Sequence, residues 1–233
     1  VWGKWEQNVI EFKSEWHLLS FSVMWVGERR PTTWALPDFK LYAKDKENDR
    51  DLAQKLWEVL NEADLVIAHN GDKFDIRKSN ARFLINGFKP PSPYKTIDTL
   101  KIAKRNFKFN SNSLNDLAQL LGLGRKHKHT GFELWRKCME GDLRAWATMK
   151  RYNAQDVVLL WKVYMKLRAW HSFHPNIALK KGQVHACPVC GSLNTIPDDW
   201  WYIVARRAQR YVCQDCGKYS KGATQKIPGV MLK

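Results

Sequence analysis

The chain has 233 residues, 44% of them hydrophobic, which is enough for one sizeable domain plus a smaller one and excludes a disordered tail. Its 39 Lys+Arg against 23 Asp+Glu give a formal net charge of +16, so the expected partner is a polyanion, nucleic acid first, through an attraction that salt weakens. No apolar run has the length needed to cross a bilayer, and Val1-Trp2-Gly3-Lys4 does not read as a secretory leader, so no membrane partner and a cytoplasmic location are expected.

In chain order, Leu18 to Val26 is rich in aromatic and β-branched residues and ends at Gly27-Glu28-Arg29-Arg30-Pro31, which predicts a strand and a hairpin turn with Thr32 to Leu36 as the partner. From Asp51, Leu52, Leu56, Val59, Leu60 and Ala63 recur at helical spacing, and Asp64 to Asn70 then reads as a short buried strand. A helix feeding a strand is α/β grammar. Phe74 to Gly87 is helical again. The run Lys89-Pro90-Pro91-Ser92-Pro93 must be a connector, because proline lacks the N–H donor and restricts the residue before it. Ser113 to Asp116 fits a capping start, with Gly122 as the stop. Cys138 falls in a helical stretch, Phe132 to Met139, and reads as a small buried apolar residue. Asp142 to His171 is helical in period, as one helix or two, and from Ala178 the chain turns to short β-like pieces.

Two segments carry candidate chemistry. His69-Asn70-Gly71-Asp72-Lys73-Phe74-Asp75 lies where a buried strand passes into a helix, which presents Asp75 at the carboxyl edge of a sheet. Tyr152-Asn153-Ala154-Gln155-Asp156 lies within the long helix, where i, i+4 spacing stacks a phenol and a carboxylate on one face. Two-metal cleavage of a phosphodiester needs carboxylates around a pair of hard divalent ions, and Asp75 and Asp156 are suitable ligands. A phenol with a pKa of about 10 is a poor general base at neutral pH, so Tyr152 is better suited to orienting a water. Asp98 reads as a cap, Asp72 as solvent-facing, His69 as a satisfied strand-end residue, and His127 and His129 as part of a solvated basic loop.

Asn70 to Asp75 resembles the second exonuclease motif of the DEDD superfamily, and Tyr152 to Asp156 resembles its third motif in the tyrosine subtype shared by proofreading domains of family B DNA polymerases. The stretch from Trp2 to Asn176 is similar to RNase H-like exonucleases of phage genomes, often described as polymerase-associated subunits. The phrases His69-Asn70-Gly71, Lys89 to Lys95, Ile97-Asp98-Thr99-Leu100 and Asp156 to Leu160 carry that likeness. The resemblance implies an RNase H-like mixed sheet flanked by helices, over residues 1–176. It also implies 3′→5′ exonuclease activity with Mg²⁺ or Mn²⁺, a single-stranded nucleic acid substrate with DNA favoured over RNA, a DNA polymerase or replication partner, and a phage or bacterial host setting. Asn70 is then a nucleic-acid contact, and Asp75, Tyr152 and Asp156 are the catalytic residues. The family's first motif, Asp-x-Glu on the opening strand, is not in this sequence: Glu6, Glu11 and Glu15 have no partner at that spacing, and truncation just before Val1 is expected over natural loss. The alternatives are a non-catalytic nucleic-acid-binding or accessory protein on a degenerate nuclease scaffold, and an endonuclease.

Cys187-x-x-Cys190 and Cys213-x-x-Cys216, each followed by Gly and separated by 22 residues, have the spacing of a four-thiolate zinc ribbon over residues 180–222, with 223–233 as a tail. Four thiolates leave no open position for chemistry, so structural Zn²⁺ is expected. Among the neighbouring basic and aromatic residues, Arg206, Arg207 and Arg210 are the nucleic-acid-binding candidates, since cations meet phosphate while rings stack on unpaired bases.

Overall fold

A computed structural model describes residues 15–126, 131–180 and 182–230. In chain order the elements are β1 (Ser20–Val23), β2 (Thr32–Ala35), two 3-10 turns (Leu36–Asp38 and Lys40–Ala43), α1 (Arg50–Glu62), β3 (Leu65–Ala68), α2 (Asp75–Ile85), β4 (Lys95–Asp98), α3 (Thr99–Asn106), α4 (Leu114–Leu120), α5 (Phe132–Glu140), α6 (Leu143–Leu167), a 3-10 turn (Arg168–Trp170), α7 (Ile177–Lys180), β5 (Thr195–Ile203), β6 (Arg206–Cys213) and β7 (Tyr219–Lys226). The class is α/β, as expected for an RNase H-like chain. Among the described residues no helix is long and apolar enough to cross a membrane. The chain groups into two compact units, the first made of residues up to Asp64 with Lys73–Tyr94 and Lys126–Val158, the second of Leu65–Asp72, Lys95–Arg125 and Leu159 onward.

In the first unit β1 and β2 form an antiparallel hairpin with Ser20 opposite Ala35 and Val23 opposite Thr32. Gly27, at φ 104°, supplies the left-handed residue the connection needs. Phe21 stacks on Trp34 across the pair at 5.1 Å. The core gathers Ala35, Leu36, Leu52, Leu134, Cys138, Ala145, Trp146 and Met149, and each large apolar side chain so buried contributes about 1.5–3 kcal/mol. Cys138 is fully buried there, as the helical periodicity implied.

A charged hub lies in the same unit. Asp49, 1% exposed, accepts hydrogen bonds from Arg82 Nε and Nη2 at 2.7 Å each, from the Leu18 amide at 2.8 Å and from Asn86 Nδ2 at 3.0 Å. Arg82 Nη1 in turn donates to the Trp16 carbonyl at 2.9 Å. The Arg fork matches a carboxylate two bonds at a time, which is why this pair can be buried at all.

In the second unit β3 and β4 pair in parallel, from Leu65 beside Lys95 to Ala68 beside Asp98. The uninterrupted Leu-Val-Ile-Ala of β3 is the composition of a strand apolar on both faces. Helices α3 and α4 and the C-terminal part of α6 enclose Ile97, Ile102, Leu114, Leu117, Leu159, Val163, Tyr164 and Leu167. Ser113 caps α4 as the sequence indicated, its hydroxyl accepting from the Asp116 amide at 3.2 Å. The region from Asp142 resolves into one 25-residue helix. One expectation is corrected: the chain does not turn directly to β pieces at Ala178, because Ile177–Lys180 forms a helical turn whose first residue donates to the Pro188 carbonyl at 3.0 Å.

Candidate functional site

On α6 the i, i+4 geometry holds, and Tyr152 and Asp156 are joined by a third residue that the sequence reading did not single out. Lys126 Nζ lies 2.7 Å from Asp156 Oδ2 and 5.5 Å from the centroid of the Tyr152 ring. Burial lowers the Lys126 pKa, but the Asp156 carboxylate outweighs it and the net displacement is upward. Burial and the same carboxylate push the Tyr152 phenol up against a smaller opposing effect of Lys126. Tyr152 therefore keeps its proton at neutral pH, which suits an orienting hydrogen bond and not proton abstraction.

Asp156 Oδ1 is buried without a hydrogen-bond partner. The other such atoms among the described residues are His17 Nε2, Asn112 Oδ1 and Arg168 Nε, so Asp156 supplies the one carboxylate oxygen of the set. An unpaired buried donor or acceptor costs about 1–3 kcal/mol, and an ion is one of the few things that explains such an atom in a native fold. Asp75 is the first residue of α2, exposed, with its carbonyl accepting from Ser79 Oγ at 2.8 Å. Ser20 Oγ accepts from Asn153 Nδ2 at 2.5 Å, fixing α6 to β1 beside Tyr152.

The strand-end residues of the second unit are structural in large part. Asp98, 5% exposed, caps α3: its Oδ1 accepts from the Leu100 amide at 3.0 Å and the Asn70 amide at 2.8 Å. His69 is satisfied on both ring nitrogens, by Thr99 Oγ1 at 2.9 Å and the Asn112 carbonyl at 3.0 Å. Asn70 sits at φ 65°, left-handed backbone that Asn tolerates better than most residues. Its amide is committed to Asp98. Asp72 differs from expectation. It is half-buried and pairs with Lys101 at 2.5 Å; burial raises its pKa, but the bonds from Lys101 and Thr96 prevail and lower it. The lysine one turn along α3 supplies a partner that local sequence did not reveal. His127 and His129 lie outside the described residues.

The four cysteines converge. Cys187, Cys190, Cys213 and Cys216 place their sulfurs within 4.8 Å of one another, with Cys187–Cys216 and Cys190–Cys213 at 3.6 Å. Four sulfurs on one tetrahedral ion at about 2.3 Å would stand roughly 3.8 Å apart, so the cluster is of ligating size. Both knuckles close alike: the Gly191 and Gly217 amides donate to the Cys187 and Cys213 carbonyls at 2.8 and 2.9 Å, and the Cys187 and Cys213 amides donate to Ser192 and Lys218 carbonyls at 2.8 and 3.0 Å. Gly191 at φ 74° and Gly217 at φ 73° explain the glycine after each pair. Burial pushes the Cys190 and Cys216 thiols up, whereas at Cys213 burial raises the thiol but bonds from the Cys216 and Asp215 amides and neighbouring cysteines prevail and lower it. Lys218 Nζ donates to the Ala169 and His171 carbonyls at 3.1 and 2.9 Å, tying the second knuckle to the end of the long helix.

Strands β5, β6 and β7 form an antiparallel sheet in which alternation sorts the basic residues by face. Arg206 and Arg207 are neighbours in β6 and so lie on opposite faces. Arg207 stacks on Trp200 at 4.2 Å, while Lys221 stacks on Trp201 at 3.9 Å and Arg210 on Tyr219 at 5.4 Å. The register places Trp201, Arg206, Arg210, Tyr219 and Lys221 on one face. Arg210 is already engaged by Asp198. Lys221 and its ring partner add a basic and aromatic pair to that face.

Residues 13–168 match the RNase_H superfamily. The chain belongs to that superfamily. The match takes in β1 to β4 and α1 to α6, and the four-cysteine module lies beyond it. No curated protein sequence matches the chain. RNase H-like proteins are mostly hydrolytic nucleases that use divalent metals, which gives this chain a nuclease or nucleic-acid-related activity. Asp156, with a buried carboxylate oxygen that has no partner, fits such an ion. Among the described residues the four cysteines form the one group of three or more acidic, His or Cys side chains within ligating distance.

Proposed function

We propose that the chain is a metal-dependent 3′→5′ exonuclease of the DEDD tyrosine subtype, hydrolysing the terminal phosphodiester of single-stranded nucleic acid, DNA favoured, with a DNA polymerase or replication partner. The observation that carries this reading is the buried, unpartnered Oδ1 of Asp156 one helical turn from Tyr152. Asp75 and Asp156 would hold Mg²⁺ or Mn²⁺, which supplies an acidified water and neutralises charge on the phosphate when bound.

The chain's own residues do the rest. Tyr152, protonated at neutral pH, hydrogen-bonds and aligns the attacking water without taking its proton. The net charge of +16 draws the polyanion in. Arg206 and the Lys221–Trp201 pair offer phosphate and base contacts on one face of the C-terminal sheet. A structural Zn²⁺ on the four cysteines would make that module a zinc ribbon.

The test uses 3′-labelled single-stranded DNA and RNA with Mn²⁺. Mononucleotides should be released from DNA faster than from RNA, and Asp75→Ala and Asp156→Ala should each lower turnover by about 10³-fold or more while leaving binding intact. Unchanged turnover in either variant would falsify the assignment. Among the described residues Asp156 belongs to no group of three or more side chains within ligating distance, which favours a second reading, a non-catalytic nucleic-acid-binding protein on this scaffold. Tight binding with no release under any metal would establish it.

A further inference from the structure

We infer that Lys126 is the resident cation of the Asp156 site, holding the carboxylate until a divalent ion displaces it. The inference rests on the reading of Asp156 as a metal ligand and says how that ligand is kept when no metal is bound. Lys126 Nζ stands 2.7 Å from Asp156 Oδ2, and the two side chains are 30% and 23% exposed, so the pair is shielded from water without being sealed off. An ordinary structural ion pair would leave both carboxylate oxygens engaged. Here Oδ1 is buried and has no partner, so the ammonium and the neighbouring Tyr152 phenol leave one oxygen of the acid unanswered.

A divalent ion on Asp156 and an ammonium at the present distance would place three positive charges within a few ångströms, where like charges repel strongly in a partly buried setting. The two occupants are therefore mutually exclusive. Lys126 can yield its place, because it follows Gly122 at φ 68° and Gly124 at φ 112°, in a connection that is not part of any helix or strand. Its flexible four-carbon stem then leaves the ammonium, a compact phosphate-binding charge, close to where the substrate backbone would lie. The Lys126–Asp156 pair is neutral at rest, and the surroundings of Asp156 gain positive charge as the ion loads.

The test reads metal binding, not turnover. Free Mn²⁺ is followed by electron paramagnetic resonance during titration of the full chain and of Lys126→Met, Lys126→Arg and Asp156→Asn. Removing a competitor that occupies most of the site raises apparent affinity by the inverse of the free fraction, so Lys126→Met should bind Mn²⁺ about tenfold more tightly. Lys126→Arg should stay near the parent, and Asp156→Asn should weaken binding in both backgrounds. As a readout on the unmodified chain, acetylation of Lys126 followed by mass spectrometry should quicken several-fold when Mn²⁺ is added. If Lys126→Met leaves Mn²⁺ affinity and Mn²⁺ leaves acetylation as they were, while Asp156→Asn still weakens binding, Lys126 is a structural partner only and the metal-ligand reading stands. If Asp156→Asn has no effect on Mn²⁺ binding, both readings fall together.

Discussion

The four-cysteine centre and the carboxylate region of α6 hold their candidate metal ligands in different ways. At the cysteines, four sulfurs crowd within 4.8 Å, with Lys218 near enough to interact with Cys187 and Cys216, and the backbone of each knuckle is wound to keep them there. At α6 a lysine already stands on the acid, and the unit around it has its own apolar core and a buried Arg82–Asp49 pair. Read as a structural zinc site, the first would need an ion to complete its fold. The second is complete as a fold and would use an ion only for chemistry.

That contrast can be broken by removing metal. Stripping the ion with a strong chelator, or changing Cys213→Ser, should unfold the C-terminal module, since structural four-ligand zinc sites are worth on the order of 10 kcal/mol. Hydrogen exchange should show loss of protection in β5 to β7 while α1 and α5 keep theirs; equal loss in all of them would erase the distinction. Arg82→Ala is the reciprocal blow. Leaving Asp49 buried without its partner should cost about 3–5 kcal/mol in urea unfolding, with bound metal at the cysteines unchanged.

Acid should act on the same pair. Burial raises the Asp49 pKa, but Arg82, the Leu18 amide and Asn86 outweigh it and hold the carboxyl below its ordinary value. The stability this supplies is fully present above the unfolded carboxylate value, about 4, and is lost as pH falls through the lower folded value. The parent should thus lose stability on acidification below pH ~4, and Arg82→Ala should lack that component; parallel pH profiles would contradict the assignment. Smaller effects sharpen the local reading. Ser113→Ala should cost about 1 kcal/mol through loss of the α4 cap. Val204→Gly should gain about 1 kcal/mol, because Val204 turns the β5–β6 hairpin at φ 47°, backbone that a β-branched residue adopts only under strain.

What was legible in the sequence follows the range of the forces involved. Helical periodicity gave α1, α2 and α6, alternation and turn residues gave β1 and β2, and cysteine spacing gave the four-sulfur cluster, because each is written within a few neighbouring residues. Asp98 and His69 read correctly as structural, since a cap and a strand end are also local. Asp49 gave no signal: its partners Leu18, Arg82 and Asn86 are 31 to 37 residues away along the chain. Lys126 was hidden the same way, 30 residues from Asp156, and Asp72 looked solvated because Lys101 lies 29 residues further on. Arg206 and Arg207, adjacent candidates in the sequence, stand back to back because side chains alternate along β6.

Each cysteine loop closes its own backbone bonds, from Cys187 to Ser192 and from Cys213 to Lys218, and the base of the hairpin joins the two where Thr195 pairs with Cys213 and the Gln214 amide donates to the Asn194 carbonyl. The tip at Val204, 84% exposed, is then a natural place to splice in foreign sequence: a peptide tag or a fluorescent label grafted there should travel with the module and leave its sulfur cage intact.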